Sequence, residues 1–283
     1  MKGSRCIGSC LAAVAQQVIE TTEKLWSQPT TWPDGKVPVA GDDVEILPGK
    51  NIIYDLEDGP IYKYVQINGR LTFKQDAPKL HLRAKYIFVR MGELIIGNET
   101  NPFQGEAKIT LYGLKQDQHI VYDNAIEAGN KILANTGLIK IYGKPRAIRS
   151  RLFKTALAKD TVILVEKGLS WLPNDVIGLA PTTMKWFEKD LAKIKTYNNE
   201  TGEITLVEPL EFYHWGATVS TAADYSGIDM RAEVMLMTRN VKIVGDDTDS
   251  WGCQVVTSDF TEQNKEVRVG RTFIDNVEIY NCS

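Results

Sequence analysis

His214, Asp229, Arg231 and Glu233 are the side chains in this sequence best suited to chemistry. A histidine titrates near neutral pH, so His214 is a candidate general acid or base, and Trp215 beside it offers a flat face for a sugar ring. The same histidine could instead satisfy a buried backbone group at a strand corner. Asp229, Arg231 and Glu233 alternate along a candidate strand, which puts all three on one face. An acid–base–acid row suits carbohydrate hydroxyls and carboxylates, because guanidinium grips carboxylate in a fork. Turned inward, the same row is a buried ion-pair network. Trp215 and Arg231 are the ligand-binding candidates.

Asp246, Asp247 and Asp249 crowd one turn, and such a set could ligate calcium, a hard cation that takes oxygen ligands. An exposed acidic turn is the alternative, and no other cofactor is expected. Cys6, Cys10, Cys253 and Cys282 contain no CxxC pair, and with only His81, His119 and His214 beside them a structural zinc site is disfavoured. Their even number permits two disulfides, for instance Cys6–Cys10 and Cys253–Cys282, or four free thiols. Asn98-Glu-Thr, Asn199-Glu-Thr and Asn281-Cys-Ser fit the N-glycosylation sequon and point to the secretory route. A net charge of −3 argues against a nucleic-acid surface, which needs a basic excess. No apolar run approaches the roughly 18 residues of a transmembrane helix.

Strands must position these groups. Leu25–Gly49 carries Trp26 and Trp32 and is broken by Pro29, Pro33, Pro38 and Pro48 and by Gly35, Gly41 and Gly49. It reads as irregular chain pinned by two rings, delivering the backbone into a strand at Val44–Leu47. A glycine followed by strand residues then recurs as Gly69-Arg-Leu-Thr-Phe, Gly92-Glu-Leu-Ile-Ile and Gly137-Leu-Ile-Lys-Ile, with a weaker copy at Gly105. The intervals of 23 and 45 residues are one period and two. A period near 22 with a glycine corner predicts a β-helix solenoid over an antiparallel sandwich.

From Thr155 the pattern changes to a compact β insertion, 155–225, with a hairpin turning at Asn198–Gly202; Lys185–Lys195 reads as a short helix or a polar strand. The solenoid theme resumes over 226–283 with Val234–Thr238, Val241–Val244, Val267–Val269 and Val277–Tyr280. A chain stopping directly after a strand, with no cap, predicts a piece of a longer β-helix. Residues 1–24 read as a helical leader, since Leu11–Leu25 roughly follows helical spacing; the alternative is a poor signal peptide ending at Ala13-Val14-Ala15.

Trp26-Ser27, Thr31-Trp32-Pro33, Gly35, Val37-Pro38, Gly41-Asp42-Asp43-Val44 and Ile46 resemble the opening of the eight-glycine (G-eight) domain. Tyr86–Arg90, Gly92–Gly97, Pro102-Phe103 and Ile141–Pro145 continue the resemblance in order over 25–154. The domain occurs in fibrocystin-like proteins, the transmembrane hyaluronidase and the cell-migration-inducing hyaluronan-binding protein. There it leads into an insertion, matched here by Asp175–Leu179 and Pro209–Gly216, and then into a right-handed parallel β-helix, matched by Met230–Val234 and Leu236–Val241. Hyaluronidase-type members carry a Gly-Gly-His stretch before the next strand. The corresponding Thr261–Val267 has no histidine, which counts against hyaluronan cleavage and places the chain nearer the fibrocystin-like branch.

The resemblance and the residues together predict an all-β protein: a right-handed parallel β-helix with a β-rich insertion and a short N-terminal helix. They predict a non-catalytic extracellular or cell-surface module that binds glycans or extracellular proteins. The alternatives are a hyaluronidase-like enzyme using His214 and the Asp229–Arg231–Glu233 row, and a structural spacer in a large surface protein.

Overall fold

The computed structural model of the chain describes residues 18–122, 126–216, 229–261, 265 and 267–282. It divides into two compact units, Met1–Lys144 with Arg239–Ser283, and Pro145–Thr238. Both are built of strands. The helical turn among the described residues is the short 3-10 turn Pro29–Thr31, and no helix is long and apolar enough to cross a membrane.

The expected N-terminal helix is corrected where it can be seen. Residues 1–17 lie outside the described residues, and 18–25 hold the strand Lys24–Leu25, paired in parallel with Ile52–Ile53. Val18 is exposed, and the backbone from 18 to 25 forms no helical turn. Its backbone bonds instead to a neighbouring strand, with Trp26 N–H donating to the Ile53 carbonyl at 2.8 Å.

In the first unit, successive strands from Lys24 to Leu111 alternate between two parallel ladders, which later strands extend. One ladder stacks Lys24–Leu25, Asn51–Tyr54, Arg70–Phe73, Glu93–Ile96, Leu138–Tyr142 and Arg271–Asp275. The other stacks Asp43–Ile46, Ile61–Ile67, Lys79–Val89, Glu106–Leu111, Val241–Gly245 and Val277–Tyr280. Alternation along each strand sends Leu71, Phe73, Leu94, Ile96, Ile139 and Ile141 from the first ladder, and Ile46, Val65, Ile67, Ile87 and Ile109 from the second, into one shared core. Trp26 closes this core: its ring lies 4.9 Å from Trp32, 5.2 Å from Tyr54 and 5.4 Å from Tyr62, centroid to centroid.

The glycine period has a steric cause. Arg70 is in register with Glu93, and Glu93 with Leu138, so Gly69, Gly92 and Gly137 each precede one rung of the same ladder. A Cβ on Gly92 would run into the Gly69 carbonyl oxygen, and a Cβ on Gly137 into that of Gly92. Gly92→Ala is therefore expected to cost about 2 kcal/mol through forced backbone separation, read as a lower urea midpoint with unchanged slope.

The second unit is one antiparallel sheet in the order Arg149–Arg151, Glu233–Leu236, Val176–Leu179, Asp190–Asn198, Glu203–Leu206 and Val162–Leu164. The 198–202 hairpin is present, and the polar stretch after Lys189 is strand rather than helix, because alternate residues Ala192 and Ile194 face a core shared with Ile177 and Ile204. Val234–Thr238 does not resume a parallel ladder as the sequence suggested. Glu233–Leu236 pairs antiparallel with both Arg149–Arg151 and Val176–Leu179, which draws its apolar side chains into this sheet's own core.

Candidate functional site

His214 is fully enclosed in the second unit. Its Nδ1 lies 2.9 Å from the Ala180 carbonyl oxygen and its Nε2 2.9 Å from Asp190 Oδ2. Asp190 also accepts the backbone N–H groups of Glu211 at 2.9 Å and Phe212 at 3.0 Å. Burial pushes the Asp190 carboxyl up, but the bonds from Glu211, His214 and Phe212 together outweigh it and hold the group below the usual carboxylate range. Both ring nitrogens bond inside the protein, so His214 ties strand ends together. Trp215 is half-buried, and its backbone N–H donates to Thr182 Oγ1 at 2.9 Å.

A depressed carboxylate pKa contributes stability above the unfolded value of about 3.9, and that contribution disappears as pH falls through the folded value. The second unit is accordingly expected to lose stability below about pH 4. Asp190→Asn should flatten that part of the pH dependence in urea titrations.

Asp229 and Arg231 precede the strand that begins at Glu233, so the expected alternation along one strand does not hold. The three residues are nevertheless joined. Arg231 forks onto Asp229 at 2.9 and 2.8 Å and lies 4.7 Å over the Phe153 ring. Arg151, brought beside Glu233 by strand register, reaches Asp229 at 3.3 Å and Glu233 at 3.2 Å. The Arg231 bonds hold the Asp229 carboxyl far below its ordinary range. Each acid is paired with a guanidinium, and the network lies at the surface, with Asp229 and Glu233 each more than a third exposed.

The three aspartates of the 246–249 turn do not converge. Asp246 Oδ1 lies 2.8 Å from Lys131 Nζ, and its other oxygen accepts the Thr248 hydroxyl. Asp249 accepts the Lys115 backbone N–H at 2.8 Å. Among the described residues no group of three His, Cys, Asp or Glu is placed to hold a metal, and Asp246 and Asp249 of this turn are each bonded to their own surroundings.

Cys253 and Cys282, 29 residues apart, are joined by a disulfide; Cys6 and Cys10 lie outside the described residues. Asn98 and Asn199 are exposed on turns. Asn281 differs: its Nδ2, the atom a glycan would occupy, donates to the Gly245 and Asp246 carbonyls at 3.1 and 3.0 Å.

One open groove, of about 790 Å³, lies on the outer side of the second ladder. Its floor is built from residues of three neighbouring strands. Asp43, Tyr64 and Tyr86 stand in register as one column, and Glu45 and Gln66 as the next. The Tyr64 and Tyr86 rings are 6.1 Å apart and tilted by 40°. Both pack on a small apolar cluster that includes Phe88 and Ile132, and the Tyr86 hydroxyl donates to the Gln118 carbonyl at 2.6 Å. Burial pushes the Tyr64 hydroxyl up to about 12, so it remains a neutral donor at physiological pH. Asp117, Gln118, His119 and Ile120 form the wall.

Comparison with known proteins gives 33% identity to fibrocystin-L of Homo sapiens over 236 residues, 81% of this chain and 5% of that protein. Fibrocystin of Mus musculus is 28% identical over 283 residues, 94% of this chain and 7% of its own length. A G8 domain-containing protein of Dictyostelium discoideum is 21% identical over 238 residues, 82% and 16% respectively. The chain thus spans a small fraction of each of these relatives. Residues 31–152 match the G8 domain family. This stretch is a G8 domain.

The groove lies wholly within the G8 domain, its lining running from Gly41 to Ile120, whereas His214 and the 229–233 row fall outside it. Sequence reasoning missed the groove, although a signal was there. Lys-Tyr occurs at 63–64 and again at 85–86, 22 residues apart, and in a parallel ladder that spacing stacks like residues side by side.

Proposed function

We propose that the chain is a non-catalytic extracellular or cell-surface module that binds glycans or partner proteins. Its G8 domain and closing strands would form a right-handed parallel β-helix interrupted by the β insertion. The observation that carries this reading is the open groove of the G8 domain, where aromatic faces sit among amide and charged groups. The alternation of successive strands between two parallel ladders supports the β-helix. The Cys253–Cys282 disulfide supports an oxidising compartment, and the exposed Asn98 and Asn199 sequons agree with it. Against a hyaluronidase-like enzyme stands the enclosure of His214, together with the pairing of Asp229 and Glu233 by Arg231 and Arg151.

The test is retention of the oxidised chain on a glycan array, alongside incubation with hyaluronan and measurement of polymer size. Retention with unchanged polymer length is expected. Shortened hyaluronan would replace this reading with the enzymatic one. A folded chain retained by no glycan would overturn the carbohydrate form and favour a structural spacer.

A further inference from the structure

Resting on that glycan-binding reading, we infer that the groove over Tyr64 and Tyr86 takes an extended, electrically neutral oligosaccharide, with its sugar rings lying on the two phenol faces. The shape of the floor sets the first half of this inference. Asp43, Tyr64 and Tyr86 run across three strands, so the groove crosses the ladder and accommodates a linear occupant. Adjacent strands stand about 4.8 Å apart, and the floor is accordingly about 10 Å long. A sugar presents apolar C–H faces and a rim of hydroxyls, which is the complement of a flat ring bordered by polar groups. Gln66, Gln118 and the Tyr64 hydroxyl supply that border. The rings are preorganised, since the apolar cluster packed beside them and the Tyr86–Gln118 bond hold them in place before any ligand arrives.

The charges decide the second half. Lys63 lies 3.0 Å from Asp43, and Lys85 lies 3.4 Å from Asp117. His119 is 2.5 Å from Glu127. Both lysines of the lining thus already hold a carboxylate, and Glu45 adds a further acid that is bonded to the neutral amides of Asn68 and Gln66. A uronic-acid or sulfated polymer would meet an acid excess and would compete with Asp43 and Asp117 for the lysines of the two ion pairs. A neutral sugar uses the same paired groups as donors and acceptors and breaks neither.

The experiment is calorimetric titration of the oxidised chain with gluco-, galacto- and manno-oligosaccharides and, as the charged comparison, a hyaluronan oligosaccharide, each at low and high salt. Saturable binding of a neutral probe is expected, with affinity insensitive to salt. Tyr64→Leu and Tyr86→Leu should each weaken it by about tenfold or more. Gln66→Ala, which leaves the ring packing untouched, should weaken it several-fold and provides the readout if a tyrosine variant does not fold. Trp186→Ala, an exposed aromatic of the other unit, should leave affinity unchanged. Neutral-sugar binding that survives all three groove substitutions would place the site elsewhere, overturning the groove assignment while the glycan-binding reading stands. Binding of hyaluronan alone, weakening with salt, would overturn the neutral class and also leave that reading standing. A folded chain that binds none of the probes would overturn both.

Discussion

Lys131→Met is expected to destabilise the unit containing the G8 domain by about 4 kcal/mol, because it strands a mostly buried carboxylate. The Lys131 side chain is fully enclosed, and its Nζ sits 2.8 Å from Asp246 Oδ1 and 2.5 Å from the carbonyl oxygens of Asp246 and Trp251. Removing the ammonium leaves the acid and two carbonyls without their shared donor. The double variant Lys131→Met/Asp246→Leu should recover part of the loss, since replacing both charges avoids the unpaired one. The pair also predicts an acid limit. Burial pushes the Asp246 carboxyl up, but the bonds from Lys131 and Thr248 prevail and lower it. Its contribution is therefore complete above the unfolded value of about 3.9 and is lost as pH falls below it. Urea midpoints of the parent and both variants, at neutral pH and near pH 3, check the energy and its sign together.

Trp26→Ala is expected to cost a similar amount, about 4 kcal/mol, by removing the largest side chain from the closed end of the core. Trp26 is fully buried, touches Trp32, Tyr54 and Tyr62, and donates from Nε1 to the Tyr62 hydroxyl at 2.9 Å. Trp32 in turn donates from its Nε1 to the Trp26 backbone carbonyl at 2.9 Å, a bond the alanine variant keeps, so the loss comes from the ring and its own hydrogen bond. Trp186→Ala, at a residue 79% exposed, should move stability by no more than about 0.5 kcal/mol. Thermal unfolding of the two variants separates a structural tryptophan from a surface one. An equal effect from both would contradict the placement of Trp26.

The parallel ladders were legible because their steric demand repeats. Stacked rungs leave no room for a Cβ at one corner, so Gly69, Gly92 and Gly137 return at the ladder's own spacing. The opening Trp, Pro and Gly residues were legible for a similar reason, since ring anchors and turn residues act within a few positions of one another. Val234–Thr238 joins the antiparallel sheet although its short alternating run fits a parallel ladder equally well. Its partner strands, not its own pattern, decide which it joins.

The candidate chemistry divides along the same line. Residue types alone identified His214, the 229–233 row and the acidic turn as groups able to move protons or bind charge. Whether they are free to do so depends on neighbours distant in the chain: Asp190 is 24 residues from His214, Arg151 is 82 from Glu233, and Lys131 is 115 from Asp246. The sequence by itself thus determined an all-β protein with a G8 domain and a repeating glycine corner, because local sterics and short-range periodicity carry that information. Only the tertiary structure decided that the suspected catalytic groups are internally paired and that Tyr64 and Tyr86 form one open floor, because burial and ion pairing are properties of contacts between segments.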